Sequence, residues 1–295
     1  MHGRLESPVA VLSARLPSDL SEQVARALRE DIGSGDITAG LIPARTLAQA
    51  QVLCREPAVL CGAPWFDETF RQLDPSLEVR WHFHEGTRVA ADSILCQLAG
   101  AARVLLTGER TALNFLQLLS GTASVTQRYV EAVSGTGCRI LDTRKTIPGL
   151  RSAQKYAVRC GGGTNHRLGL YDMVLIKENH IAAAGSIAAA VATARRDAPG
   201  VCVEVEAEDL EQVRQALAAR ADIILLDNFD LGQLRAAVAL SRTHQHPAEL
   251  ECSGGVTLET LRAAAESGVD YISVGALTKH VTAIDLSMRF VTAAP

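Results

Sequence analysis

The chain has 295 residues, 47% of them hydrophobic and 21% charged, with a formal net charge of -4. Such a composition predicts a well-buried core in one large domain, or in a large domain with a smaller companion, and excludes a disordered chain. The mildly acidic balance argues against nucleic-acid binding, and no apolar run approaches the roughly 20 residues of a membrane span, so no membrane role is expected.

The N-terminal stretch MHGRLESP has no signal-peptide hydrophobic core. Seven cysteines are scattered at Cys54, Cys61, Cys96, Cys138, Cys160, Cys202 and Cys252 without a C-x-x-C pair. Zinc and thioredoxin chemistry therefore lack support, and buried reduced thiols in a cytoplasmic protein are expected.

Residues 18–30 predict a helix capped by Ser18 or Asp19, with Leu20, Val24, Ala27 and Leu28 on one face. In the DIGSGDIT loop that follows, Asp31 and Asp36 are expected to serve turns. Between Ala48 and Gly100 come strand-like runs at 50–53, 58–61, 78–83 and 93–98, with a helix at 64–73. That mixture suggests a small α+β module. His82 and His84 are expected on one face of a strand, but no third ligand accompanies them, so a partly exposed sheet face is preferred to a metal site. Residues 109–133 predict a helical connector interrupted at Gly121, with Arg110 at its start. A helix N-terminus favours acids over bases, which leaves the role of Arg110 open.

From there strands and helices alternate. Strands are predicted at 139–142, 173–176, 201–205, 222–226, 249–252 and 271–274, and helices at 186–195, 207–219, 231–240 and 258–267. This pattern means a parallel sheet covered by helices. Each strand is followed by polar or glycine residues: Arg144 and Lys145, Lys177, Glu206, Asp227, Ser253-Gly254-Gly255, and Gly275. Functional residues at six successive strand ends favour a barrel mouth over the single switch point of a doubly wound sheet. The expected fold is an incomplete, about six-stranded α/β barrel with an N-terminal α+β sandwich-like domain. The expected division is 1–113 for the N-terminal domain, 114–280 for the barrel, and 281–295 for a C-terminal helix returning to the N-terminal domain.

Arg144, Lys145, His166, Arg167 and Lys177 gather cationic groups around the first two barrel strands, beside Gly161-Gly162-Gly163, in a chain that is acidic overall. They predict a polyanion site. Glu206 and Asp227 suit magnesium and ribose contact, with acid/base catalysis and a plain salt bridge as rivals. Ser253-Gly254-Gly255 and Gly275 suit a phosphate at the last strands, and His280 either caps that site or ends a helix. Lys177 at a strand end also fits a Schiff-base aldolase, although the surrounding cations would be superfluous for a neutral carbonyl.

The segments DTRKTIPGLR, GGGTNHRLGLYDMVLIKENH, VEVE, ILLDNF, CSGGV and VGALTKH, together with EDIGSGDIT and ERTALNFLQLLSG, closely resemble the quinolinate phosphoribosyltransferases (nicotinate-nucleotide pyrophosphorylases, carboxylating) from about Leu28 to Phe290. Ile147, where a small polar residue is expected, and Cys252, where Ser is expected, depart from that pattern. The resemblance implies transfer of phosphoribosyl from 5-phosphoribosyl 1-pyrophosphate to quinolinate, with decarboxylation and a requirement for magnesium. It implies a quinolinate cradle of Arg144, Lys145, His166, Arg167 and Lys177, with Glu206 and Asp227 on ribose and magnesium. Ser253, Gly255, Gly275 and His280 would take the sugar phosphate, and Lys177 is the candidate to reprotonate the ring carbon. It further implies a cytoplasmic head-to-tail homodimer in which Arg110 enters the partner's site, with higher assembly left open. The alternatives are a nicotinate-type phosphoribosyltransferase, the Lys177 aldolase, and a non-catalytic phosphosugar-binding regulator.

Overall fold

The structure, a computed structural model, describes residues 16–291; the MHGRLESP stretch and the end of the expected C-terminal helix lie outside the described residues. The elements run α1 (Leu20–Ile32), β1 (Leu47–Cys54), β2 (Ala58–Val59), α2 (Ala63–Leu73), β3 (Glu78–Trp81), β4 (Arg88–Val89), β5 (Ile94–Ala101) and α3 (Ala102–Ala132). Then come β6 (Arg139–Leu141), α4 (Arg151–Cys160), β7 (Val174–Ile176), α5 (Glu178–Ala184), α6 (Ile187–Asp197), β8 (Val203–Ala207), α7 (Leu210–Ala218) and β9 (Ile223–Asp227). The chain closes with α8 (Leu231–Thr243), β10 (Glu249–Ser253), α9 (Leu258–Ala265), β11 (Tyr271–Ser273), α10 (Ala276–Lys279) and β12 (Leu286–Phe290). Two compact units result. Among the described residues, one holds 16–127, Thr146–Gly162 and 277–291; the other holds Arg128–Lys145 and Gly163–Ala276. Among the described residues, no helix is long and apolar enough to cross a membrane.

The first unit is built on an antiparallel sheet in the order β12-β1-β5-β3. Ala50, Val52 and Cys54 alternate inward along β1 and pack with Phe66, Phe70, Leu105 and Leu113. A second cluster joins Val24 and Leu28 of α1, Trp65 of α2, Leu119 of α3, and Tyr156 of α4. Four features of this unit differ from expectation. The C-terminal segment forms strand β12, not a helix, because Leu286 and Met288 alternate inward and Val52 pairs with Met288. Gly121 does not interrupt α3; it lets the helix approach the chain, since a Cβ there would lie 2.1 Å from the Thr282 carbonyl oxygen. Arg110 sits well inside α3, so the helix-dipole argument does not apply to it. And β3 ends at Trp81, which leaves His82 and His84 outside the strand. The turn role of Asp36 is borne out: its Oδ1 accepts the N–H groups of Thr38 and Ala39.

The second unit is the predicted six-stranded parallel sheet, in the order β6-β11-β10-β9-β8-β7. Chain order is kept around the sheet, with β6 and β7 at its two edges. That is a barrel left open between its first two strands. Thr164 forms a parallel bridge to Leu141 and so extends the β6 edge. The register aligns Glu204 with Ile223 and Glu249, and Glu206 with Leu225, Glu251, Tyr271 and Arg139. Leu141 and Tyr271 from the neighbouring β6 and β11 pack with Ile223 of the distant β9 and with Met173 just before β7 on this same face, which is therefore the barrel interior. The alternation in Val203-Glu204-Val205-Glu206 thus puts apolar side chains toward the helices and carboxylates inside. The seven cysteines of the chain are free thiols, five of them buried.

Candidate active site

Asp142, fully buried at the end of β6, organises the first part of the site. Its Oδ1 accepts the backbone N–H of His166 at 2.9 Å and its Oδ2 accepts the Asn165 amide at 2.5 Å. Thr164 donates its N–H to the Ile140 carbonyl at 2.8 Å, so the 163–167 segment is laid along β6. This brings Arg167 beside Arg144. Burial and the neighbouring Arg144 charge both lower the proton affinity of Arg167. The Nε of Arg144 is buried with no hydrogen-bond partner among the described residues. Two guanidiniums held together against their repulsion, one with a buried donor free to bond, make a site suited to an anion. Lys145 joins them, its stem lying over Gly275, where a Cβ would stand 3.0 Å from Lys145 Cδ.

His166 points elsewhere. It is 8% exposed, and its Nε2 lies 2.9 Å from Glu204 Oε2 and 3.4 Å from Glu251 Oε2, both glutamates being buried inside the barrel. Its Nδ1 accepts the Arg167 backbone N–H at 2.8 Å. Both ring nitrogens are therefore occupied within the protein. Burial would lower the proton affinity of the ring, but Glu251 and Glu204 outweigh it and push the value up to about 10. The Arg167 N–H opposes this by demanding a lone pair on Nδ1. These hydrogen bonds assign a neutral ring with its proton on Nε2, and the extra proton of the trio rests on a carboxyl. Burial and the adjacent Glu251 raise Glu204 to about 7, in keeping with that placement. A nitrogen protonated toward the carboxylates cannot also bind a metal, so the three residues are a proton-sharing cluster.

At the ends of the next strands, Lys177 forms an ion pair with Glu206. The Lys177 N–H also caps α5 by donating to His180 Nδ1 at 3.0 Å. Asp227 Oδ2 accepts the Asn228 side-chain amide at 2.9 Å. Asn228 itself has a positive φ of 56°, an uncommon conformation for a residue with a side chain, and it leaves Asp227 at the rim. Gly254, with φ of 94°, is required there, because a Cβ would fall 2.2 Å from Asn228 Oδ1 and 2.9 Å from its backbone N. Gly255, with φ of 60°, faces open space, which suits backbone approach by a ligand. Glu206 and Asp227 offer hard oxygens from adjacent strands, and among the described residues no third ligand completes a cage with them. That donor set fits magnesium brought in on a substrate phosphate and finished with water.

The second unit thus holds Arg144, Lys145, His166, Arg167, Lys177, Glu206, Asp227, Ser253, Gly255 and Gly275, while Arg110 and His280 belong to the first. Gly161 proves to be a packing glycine: a Cβ would meet the Ala123 carbonyl oxygen at 2.4 Å. Asp142, Asn165, Glu204, Glu251 and Asn228 escaped notice in the sequence. The one available signal was the VEVE alternation, which puts a second carboxylate on the face of Glu206.

Two sequence profiles cover most of the chain: Quinolinate phosphoribosyl transferase, N-terminal domain, over residues 36–120, and the C-terminal domain of the same name over residues 122–289. The chain is 44% identical over 265 residues to a probable nicotinate-nucleotide pyrophosphorylase (carboxylating) of Synechocystis sp., covering 90% of each. It is 44% identical over 273 residues to the nicotinate-nucleotide pyrophosphorylase (carboxylating) of Mycobacterium leprae, covering 90% of this chain and 95% of that one. The solved nicotinate-nucleotide pyrophosphorylase of Francisella tularensis superposes with a TM-score of 0.91 at 45% identity, covering 98% of this chain and all of that one.

Proposed function

The chain belongs to the quinolinate phosphoribosyltransferase family, and from that premise we propose that it joins quinolinate to 5-phosphoribosyl 1-pyrophosphate, yielding nicotinate mononucleotide, pyrophosphate and carbon dioxide in NAD biosynthesis. The observation that carries this reading is the Arg144–Arg167 pair with its unanswered buried Nε. Quinolinate is a planar ring with two adjacent carboxylates, and two guanidiniums with Lys145 match it; the single carboxylate of nicotinate would leave one guanidinium unanswered. Lys177 is engaged by Glu206, and a neutral carbonyl substrate would leave Arg144 and Arg167 without an anion, which opposes a Schiff-base aldolase.

In the reaction, Arg144, Arg167 and Lys145 hold the dicarboxylate with its ring nitrogen toward the sugar. Glu206 and Asp227 take the ribose hydroxyls, and Ser253 with the N–H groups of Gly255 and Gly275 takes the 5-phosphate. The ring nitrogen attacks the anomeric carbon as the bond to pyrophosphate breaks, so positioning and charge compensation supply most of the rate. Glu206 and Asp227 would hold magnesium, which when bound would supply neutralisation of leaving-group charge. The carboxylate beside the ring nitrogen then departs as carbon dioxide. Its bonding electrons stay on the ring carbon next to the cationic nitrogen, and the Lys177 ammonium donates the proton that quenches them. The free thiols support a reducing, cytoplasmic setting.

The working form is a homodimer in which Arg110 of one protomer completes the site of its partner. Arg110→Ala and Lys177→Ala chains, each inactive alone, should recover about a quarter of wild-type activity after random subunit exchange, since half the dimers then carry one intact site of two. Exchange without recovery rejects the shared site. The test of the activity itself is release of labelled carbon dioxide from 2-carboxyl-labelled quinolinate with phosphoribosyl pyrophosphate and magnesium. Release equal to nucleotide formed is expected, and turnover of nicotinate without release would overturn the assignment.

A further inference from the structure

We propose that His166 is a positioning residue that acts through Arg167, locking the arginine's backbone so that its guanidinium stays beside Arg144 in the open seam of the barrel. This rests on the quinolinate reading above and specifies how the dicarboxylate site is held in shape. His166 contributes no ring nitrogen to the mouth, because Nε2 is taken by Glu204 at 2.9 Å and Nδ1 by the Arg167 N–H at 2.8 Å. Its own N–H is fixed at 2.9 Å on Asp142, the residue two before Arg144. The residue is thereby tied to three strands: its backbone to the end of β6 through Asp142, and its ring to β8 through Glu204 and toward β10 through the nearby Glu251.

The need for such a lock follows from the charges. Arg144 and Arg167 repel one another; Glu204 and Asp172 favour the Arg167 charge, but burial and Arg144 outweigh them, and the Arg144 Nε is buried without a partner. A loop free to relax would swing Arg167 away from Arg144 in the empty enzyme, and each binding event would have to bring it back. The 163–167 segment fills the edge left open between β6 and β7, where no seventh strand holds it. Buried hydrogen bonds replace the missing sheet ladder. Oε1 of Glu204 and Oε1 of Glu251 remain buried without partners, so the cluster is not arranged for stability alone.

The two amide replacements of histidine separate its nitrogens. His166→Asn keeps an acceptor near Nδ1 and loses the group at Nε2; His166→Gln does the reverse. In the wild-type background, His166→Gln should raise the KM for quinolinate about tenfold, the size expected when one charge-assisted contact is misaligned. The KM for phosphoribosyl pyrophosphate should stay unchanged. His166→Asn should lower thermal stability more yet keep the quinolinate KM within about threefold of wild type. Placed on Arg167→Ala, His166→Gln should add no further loss. Equal quinolinate KM in the two variants, or full additivity with Arg167→Ala, overturns the proposal. If neither variant folds, ring ¹⁵N spectra of the wild-type protein decide: an unprotonated Nδ1 with a protonated Nε2 is expected, and a protonated Nδ1 rejects the contact on which everything depends. Because the spectra need no turnover, they stand or fall independently of the quinolinate assignment.

Discussion

Arg139 and Arg144 flank the same short strand, β6, and the barrel treats them in opposite ways. Arg139, at the strand's start, donates to the Tyr271 hydroxyl at 2.5 Å, and that hydroxyl donates to Glu249 at 2.8 Å. Its guanidinium also lies 4.7 Å from the Tyr271 ring centroid. Arg144, past the strand's end, has a buried Nε without a partner and a second arginine for a neighbour. At the N-terminal end of β6, the arginine's charge is answered within the protein; past its C-terminal end, the Arg144 Nε is left for a ligand. Stability belongs to the first arrangement and binding to the second.

The contrast is sharpest in paired substitutions. Arg144→Ala should cost roughly 1.5–3 kcal/mol of quinolinate affinity by calorimetry, with no loss of stability. Arg139→Ala should do the reverse, lowering unfolding free energy in denaturant by about 2 kcal/mol while the folded fraction keeps its quinolinate affinity. Should both changes lower affinity alike, the two ends do not differ in role.

The glycines at the phosphate loop give a smaller test. Gly254→Ala combines a left-handed backbone with a 2.2 Å approach to Asn228 and should cost about 2 kcal/mol of stability. Gly255→Ala carries only the backbone strain, about 1 kcal/mol, but should weaken phosphoribosyl pyrophosphate binding if its N–H meets the phosphate. An unaffected KM for that substrate would remove Gly255 from the site.

The smallest effect is the pH dependence of the interior cluster. Glu204 is raised from the ordinary value to about 7, so the folded state binds its proton more tightly than the unfolded chain does. Its contribution to stability is therefore greatest below about pH 4.5 and declines as pH rises toward about 7. Glu204→Gln should lessen that decline. A stability difference between variant and wild type that is flat from pH 5 to 8 would show Glu204 ionised throughout.

The barrel strands were legible because mostly continuous apolar runs alternate with helical segments and each run is followed by a polar residue or a glycine. The C-terminal strand was missed because five residues that alternate Leu286-Ser287-Met288 are too short to outweigh helix-forming neighbours. The start of α3 was set too late, since Ala102–Gly108 follows β5 without a break, and Arg110 inherited a false position from it. His166 carried the chemistry of a ligand group in the sequence. Its real partners lie 38 and 85 residues further along, beyond the reach of any local pattern.

The central claim is that Arg144 and Arg167 are held side by side for a dicarboxylate. Calorimetric titration of the wild-type protein with quinolinate and with nicotinate tests it most directly, followed by both titrations of Arg144→Ala. Quinolinate should bind at least about tenfold more tightly than nicotinate, and the substitution should erase most of that preference. Equal affinities for the two ligands in the wild-type protein would contradict the account.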